Sequence, residues 1–184
     1  INALTTAQPR HGRALLDRVL AGVPDGDSPV TYSEDLPERV GAAAAWPTWT
    51  PAAVVSAFAE SGVTRPWQHQ AEAAAHAHAG RHVVVATGTA SGKSLAYQLP
   101  VLSALTTDRR ATALYLAPTK ALAADQVRSA RALDAVVSRD LPAVRPSGYD
   151  GDTPRDERDW VRTHARWVFS NPDMVHRGIL PVHA

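Results

Sequence analysis

The stretch VVVATGTASGKSLAYQLP, residues 83–100, decides the fold of this chain. It predicts a short apolar strand, a glycine-bearing turn, and a helix that opens at Gly92. Gly88 and Gly92 allow the backbone to turn tightly and to approach an anion closely, because neither carries a Cβ that would clash at positive φ. The pattern indicates a phosphate-binding loop, although Thr87 stands where the strict G-x-x-x-x-G-K-[ST] motif has its first glycine.

The residues of this loop indicate a site for a nucleoside triphosphate and its metal ion. Backbone amides at the start of a helix attract anions. Lys93 would reach the β- and γ-phosphates, and the hydroxyl of Ser94 would ligate Mg²⁺. The alternative is a coincidental Gly-Lys-Ser at a helix start, which the flanking strand and helix disfavour. The residues predicted to surround the phosphates are Thr87, Gly88, Thr89, Ala90, Ser91, Gly92, Lys93 and Ser94.

The bulk properties are those of a globular protein. Of the 184 residues, 45% are hydrophobic and 20% are charged, a balance typical of folded domains. No apolar run reaches the length of about 18 residues that predicts a membrane span, and the lack of cysteine favours a cytoplasmic location. The net charge of +1 means that any nucleic-acid surface must be local. Among the 19 basic residues only Lys93 and Lys120 are lysine, and both lie in segments that other patterns single out.

Apolar runs alternate with helical patterns along the rest of the chain. Strands are predicted near 111–118, 142–147 and 166–170, in addition to the strand that leads into the loop. Helices of ten or more residues separate them, which predicts βαβ units, a parallel sheet and the α/β fold class. Residues 1–45 are predicted to form an accessory arm, with a helix over 8–21 followed by a proline-rich connector.

Four helix starts carry sequence signals of their own. A hydroxyl or short amide before the first helical turn can accept a bond from a free backbone N–H. The predicted caps are Thr50, Thr119, Thr153 and Asn171. Asp156, three residues beyond Thr153, completes a capping-box pattern there.

Several segments together resemble the first motor domain of a superfamily-two DEAD/DExH helicase. TGTASGKS at 87–94 looks like helicase motif I, in which the displaced glycine is ordinary. PTKALAADQ at 118–126 resembles motif Ia, SNPDM at 170–174 resembles motif Ib, and RPWQHQAEA at 65–73 resembles the adenine-reading Q motif. The wording is most similar to a branch of bacterial and fungal DNA-repair helicases with a C-terminal cysteine-rich, zinc-binding region.

The resemblance implies ATP as the nucleotide and assigns further side chains to it. Lys93 would be the catalytic residue. Gln70 would donate to and accept from adenine through its amide; its alternative is a solvated helix glutamine. Trp46 would stack on the base, with Trp49 and Trp67 as competing candidates.

The resemblance also implies single-stranded nucleic acid as a partner, with DNA favoured over RNA. Contacts at such an edge would grip the sugar-phosphate backbone and would read no sequence. For Thr119 and Asn171 the alternative is simple helix capping. The residues implied in the grip are Pro118, Thr119, Lys120, Ser170 and Asn171.

A helicase motor also needs a strand that ends in Asp-Glu, to hold Mg²⁺ and position the attacking water. DERD at 156–159 imitates this box, but it follows a Gly-Asp-Thr-Pro turn, so an exposed first helical turn is predicted there. Residues 46–184 are therefore predicted to be the N-terminal part of the first RecA-like motor domain of a longer helicase, with the second motor domain outside this chain. The segment alone is predicted to be inactive, and the alternative is a non-catalytic nucleotide- or nucleic-acid-binding module.

Overall fold

The computed structural model describes residues 11–34, 41–88 and 91–182. The chain divides into two compact units, Ile1–Val40 and Gly41–Ala184. In the first unit, helix α1 spans His11–Val19 and a 3-10 turn spans Asp25–Asp27. The helix predicted over 8–21 is thus present in shorter form, and residues 8–10 lie outside the described residues.

The second unit is an α/β arrangement around a parallel sheet of three strands. The strands are β1 (Ala113–Leu116), β2 (Pro146–Gly148) and β3 (Trp167–Ser170), in the order β1-β3-β2. The helices are α2 (Ala52–Glu60), α3 (Gln68–His78), α4 (Lys93–Thr107), α5 (Lys120–Val137), α6 (Arg155–His164) and α7 (Pro172–Met174). A π-helical turn, Val175–Ile179, and a 3-10 turn, Leu180–Val182, continue α7. The α/β class and the parallel sheet predicted from the sequence are confirmed.

The apolar core lies between one face of the sheet and the helices that cover it. Trp167 and Phe169 of β3 are each 1% exposed, and Leu99 of α4 is fully buried among them. On β1 the alternate residues Leu114 and Leu116 remain 55% and 44% exposed. Successive side chains of a strand point to opposite faces, so the sheet has one covered face and one partly open face. Within the described ranges, no helix combines the length and the apolarity needed to cross a membrane.

The strand predicted to lead into the loop is not formed. Residues 81–88 run without helix or strand, and the side chain of Val84 is 94% exposed. A strand exists only where a neighbour accepts and donates its backbone hydrogen bonds. Among the described residues, the paired strands are β1, β2 and β3, and the 83–86 segment pairs with none of them.

Two of the four predicted helix caps form, and two do not. Thr119 Oγ1 accepts from Leu122 N at 3.2 Å, and Asn171 Oδ1 accepts from Met174 N at 2.8 Å. Thr50 precedes a helix whose N-cap is Pro51, and its buried hydroxyl finds no protein partner. The capping box at Thr153 is also wrong, because its hydroxyl accepts from Asp150 N at 2.9 Å instead of capping α6.

Candidate functional site

The phosphate loop ends at a glycine in the left-handed conformation. Gly92 is the N-cap of α4, with φ 70° and ψ 30°, and no side chain caps the helix. A Cβ at this position would collide with Nε2 of Gln70, so both the dihedral angle and the space require glycine. Leu95 N donates to Gly92 O at 3.1 Å, and among the described residues no side chain occupies the amides of Lys93 and Ser94, which lie at the positive end of a helix of 15 residues. Thr89 and Ala90 lie outside the described residues.

Lys93 directs its ammonium back over the loop. Its Nζ donates to the carbonyl oxygens of Thr87 at 3.0 Å and Gly88 at 2.6 Å, and it lies 3.5 Å from Ser91 Oγ. The hydroxyls of Thr87 and Ser91 are 2.6 Å apart. A flexible cation that rests on backbone carbonyls can exchange these acceptors for phosphate oxygens with little rearrangement. The structure thus brings together the described loop residues that the sequence selected.

Gln70 of α3 is buried and makes hydrogen bonds to the backbone of the phosphate loop. It is 4% exposed, which contradicts the solvated alternative. Its Oε1 accepts from Trp67 N at 2.8 Å, and its Nε2 donates to Gly92 O at 2.9 Å and approaches Ser91 O at 3.3 Å. An amide oxygen has two lone pairs, so Oε1 keeps one acceptor position for a further donor such as an adenine amino group.

A cavity of about 450 Å³ lies beside Gln70 and the start of α4. Ser94, half-buried, is part of its lining, together with the aromatic ring of Trp67 and the guanidinium-bearing side chain of Arg65. Its lining is mainly apolar with a few polar side chains, and this mixture, next to Gly92, fits the base and sugar of a nucleotide. Arg65 was not singled out from the sequence, because an isolated arginine before a helix has no distinctive spacing.

The three candidate tryptophans have different surroundings. Trp46 packs on Phe58 with ring centroids 5.7 Å apart, and its Nε1 donates to Thr64 O at 3.1 Å. Trp49 stacks on His78 at 4.0 Å. Trp67, 45% exposed, lines the cavity beside Gln70. Stacking of Trp46 on a base stays a prediction, and Trp67 is the tryptophan of the three in the wall of this cavity.

Three of the five residues of the implied strand-binding edge, Pro118, Lys120 and Asn171, line a second cavity, also of about 450 Å³. Pro118 and Lys120 at the end of β1 face Asn171 at the end of β3, because β1 and β3 are parallel neighbours. Thr119 lies between the first two as the cap of α5. Ser170 is fully buried and donates to Tyr149 O at 2.6 Å, so its hydroxyl supports the edge from below instead of facing the cavity.

Lys120 is paired with an acid at the rim of this cavity. Its Nζ lies 2.5 Å from Asp152 Oδ2, and both side chains are largely exposed, at 53% and 76%. The hydrogen bond to Asp152 raises the pKa of Lys120, with a smaller contribution from Asp150. The ammonium therefore stays protonated at neutral pH and is balanced by a carboxylate of its own chain.

Arg158 also lines this cavity, and the sequence did not predict this role. It belongs to the DERD segment, where Asp156 and Glu157 form the exposed acidic first turn that was predicted. Arg158 instead turns inward and donates from Nη2 to the carbonyls of Asp150 at 3.1 Å and Gly151 at 2.9 Å. It holds the backbone that carries Asp152 and lines the cavity together with Lys120 and Asn171.

Helices α4 and α5 are joined by polar side-chain contacts. The phenol of Tyr97 donates to Oε1 of Gln126, and Gln98 Nε2 donates to Ser129 Oγ at 3.1 Å. Burial raises the pKa of Tyr97 well above its ordinary value, so the phenol stays protonated and remains a donor. The helix that starts at the phosphate loop is thereby tied to the helix that starts at Lys120.

Comparison with known proteins gives consistent matches. A family model described as DEAD/DEAH box helicase matches residues 67–183. The ATP-dependent helicase HRQ1 of Saccharomyces cerevisiae is 45% identical over 118 residues, which are 64% of this chain and 11% of that relative. YprA of Bacillus subtilis, an uncharacterized ATP-dependent helicase, is 39% identical over 130 residues, which are 71% of this chain and 17% of that relative.

A solved structure extends this likeness to three dimensions. The DUF1998 helicase MrfA, bound to DNA and AMPPNP, matches with a TM-score of 0.74 and 36% identity, over 79% of this chain and 20% of that one. The chain thus spans about a tenth to a fifth of the length of the relatives it matches.

Proposed function

Because the chain belongs to the DEAD/DEAH box helicase family, we propose that it forms the ATP-binding and strand-gripping part of an ATP-dependent DNA helicase. The observation that carries this proposal is the start of α4. Gly92 holds a left-handed conformation there, no side chain caps the helix, and the ammonium of Lys93 lies over the loop. Free amides and a mobile cation at one helix start are what a triphosphate requires.

The residues present fit both ATP and Mg²⁺. The cavity beside Gln70 has room for a base, and Gln70 keeps an acceptor position that an adenine amino group can fill. Ser94 offers one hydroxyl ligand, which suits Mg²⁺ because this ion keeps several waters and binds substrate phosphates as well. When bound, the ion would be held in part by Ser94 and would neutralise phosphate charge. The role of this chain is to orient the phosphates with its amides and with Lys93.

The second cavity supports the strand-gripping half of the proposal. Lys120, Arg158 and Arg177 lie around it, with Lys120 paired with Asp152 and Arg177 paired with Asp173 at 3.1 Å, and Asn171 supplies an amide. Such groups bind phosphate and sugar without reading bases. MrfA, which resembles this chain in fold, is known with DNA bound. We propose single-stranded DNA as the ligand here; a repair role and a cytoplasmic location stay predictions.

The test compares the two lysines in the whole helicase polypeptide. Both variants, Lys93→Ala and Lys120→Ala, remove one ammonium, so each controls for the net charge of the other. Lys93→Ala should lower ATP turnover by about 10²–10³-fold, because a preorganised charge on the transferring phosphoryl group is lost. Lys120→Ala should keep the turnover measured without DNA. It should also require more single-stranded DNA for stimulation, with a salt dependence of binding shallower by about one.

Two results would contradict the assignment. One is ATP turnover of the Lys93→Ala protein within a few-fold of the unmodified enzyme. The other is a Lys120→Ala protein that loses affinity for particular sequences only, because a backbone grip affects all sequences alike. We further propose that this chain by itself binds nucleotide without hydrolysing it, since an Asp-Glu pair follows none of the three strands. Turnover by the purified chain, stimulated by single-stranded DNA, would refute that.

A further inference from the structure

The first turn of α3 holds the phosphate loop with two consecutive side chains. His69 Nε2 lies 3.2 Å from Ser91 O, and Gln70 Nε2 donates to Gly92 O at 2.9 Å. A carbonyl oxygen can only accept, so Nε2 of His69 carries the proton in this contact. His69 is half-buried and lies 22 residues before Ser91. The resemblance to a helicase motif gives this histidine no role, and His69 is not among the residues proposed above to contact the nucleotide or the nucleic acid.

These bonds determine which way the loop amides point. In a planar trans peptide, the N–H of one residue points opposite to the C=O of the residue before it. The carbonyl of Ser91 is held toward α3, so the N–H of Gly92 points away from α3. The carbonyl of Gly92 is likewise held by Gln70, so the N–H of Lys93 also points away from α3. Glycine at 92 lacks a side chain that would otherwise restrict this peptide, so the orientation depends on outside contacts.

We propose that His69 is a positioning residue of the phosphate loop, which fixes the Ser91–Gly92 peptide so that its N–H faces the bound phosphates. The inference rests on the proposed ATP site and deepens it. Gln70 Nε2 lies 3.3 Å from Ser91 O and makes its shorter bond to Gly92 O at 2.9 Å, so the Ser91 carbonyl is held jointly by Gln70 and by His69, whose Nε2 lies at 3.2 Å. His69 acts on the phosphates through the backbone, whereas Gln70 is proposed to contact the base as well.

The test separates these two roles with three ligands and two variants. His69→Phe keeps an aromatic ring and removes the donor, and His69→Gln removes the ring but returns an N–H donor. Affinities of the full chain for ATP, GTP and inorganic tripolyphosphate are measured by calorimetry. The loss of one hydrogen bond should weaken binding of all three by the same factor, roughly five-fold for His69→Phe. His69→Gln should recover most of the affinity, and urea unfolding of both variants reports whether the fold is kept.

Each outcome of these binding measurements supports or overturns the positioning role of His69. Equal losses for the three ligands, with rescue by glutamine, support the inference. Unchanged affinity in His69→Phe, or a loss restricted to ATP, overturns it, since the latter would place His69 at the base. Should His69→Phe not fold, His69→Leu makes the same comparison. If the unmodified protein binds none of the three ligands, the proposed function fails and this inference fails with it; if it binds ATP and the variants are unaffected, the inference alone fails.

Discussion

Helix α4 and helix α5 both begin at a cleft of the same unit, and their first turns are built in opposite ways. At the start of α4, Gly92 provides no side chain, and among the described residues no side chain caps the first amides; Leu95 N donates to Gly92 O at 3.1 Å. At the start of α5, the hydroxyl of Thr119 accepts from the amide of Leu122 at 3.2 Å. One helix start is left open for a ligand, and the other satisfies one of its own amides.

The two helix starts provide positive charge in different ways, through backbone amides at α4 and through a side chain at α5. The open start of α4 can bind an anion with backbone amides, so the site has fixed geometry that suits a transferring phosphoryl group. The capped start of α5 relies on the side chain of Lys120, which is exposed and already paired with Asp152. A flexible charge suits a ligand that must be gripped and released along its length. Weakening one feature at a time tests this contrast.

The largest effect is expected where the open helix start is altered. Gly92→Ala places a Cβ at φ 70° and against Nε2 of Gln70. The left-handed conformation alone costs an L-residue about 1–2 kcal/mol, and the collision adds to it. The variant should therefore unfold at lower urea concentration and bind ATP at least tenfold more weakly, as measured by denaturation and calorimetry.

Gly80→Ala is the matched control for this change. Gly80 also has a positive φ, 74°, but a Cβ there meets nothing within 4 Å. It should show only the same conformational cost of about 1–2 kcal/mol and normal nucleotide binding. Equal destabilisation of the two variants, with ATP binding intact in both, would show that the contact between Gly92 and Gln70 has no role in the loop.

A smaller effect is expected at the capped start of α5. Thr119→Ala removes the oxygen that accepts from Leu122 N, and loss of such a cap costs about 1 kcal/mol of folding free energy. Thr119→Ser keeps the hydroxyl and should stay close to the unmodified protein in urea denaturation. ATP affinity should not change in either variant. A Thr119→Ala protein that is fully stable but binds DNA more weakly would mean that the hydroxyl serves the ligand and not the helix.

The sequence predicted some of the features that depend on local chemistry, although the caps at Thr50 and Thr153 did not form. The caps at Thr119 and Asn171 formed because a hydroxyl or amide needs only an N–H three residues away. The strand predicted over 166–170 is β3, Trp167–Ser170, since an apolar run of that length is buried between neighbours. The segment 83–86 has the same apolar character but remains outside the sheet, because a strand requires a partner that local composition does not specify.

The site was only partly predictable for the same reason. Lys93 and Ser94 were found because the motif fixes their spacing from Gly92. The burial of Gln70 and the contact of His69 depend on Ser91 and Gly92, more than 20 residues along the chain. Arg158 looked like part of an exposed acidic turn, and its inward direction follows from the loop at Asp150 that it contacts. Contacts between distant segments leave no pattern in a single sequence.

The smallest effect is expected at the exposed ion pair of Lys120. Asp152 occupies the ammonium that is proposed to bind a backbone phosphate, so strand binding must first displace this carboxylate. Exposed pairs contribute little, so Asp152→Asn should tighten single-stranded DNA binding by only roughly two- to five-fold at low salt. Glu60→Gln is the control, since it removes the same charge from another exposed pair, with Arg139 at 2.8 Å, away from the cavity.

Repeating Asp152→Asn in a protein that lacks the Lys120 ammonium tests whether the carboxylate acts through Lys120. In a Lys120→Ala background, Asp152→Asn should give little or no gain, because the carboxylate acts through that ammonium. The gain should also shrink as salt is added, since exposed charges are screened within about 10 Å at 0.1 M. If Glu60→Gln tightened binding as much as Asp152→Asn, net charge alone would explain the effect. If Asp152→Asn weakened binding, the carboxylate would orient Lys120 for the strand, and the contrast between a fixed and a displaceable charge would have to be abandoned.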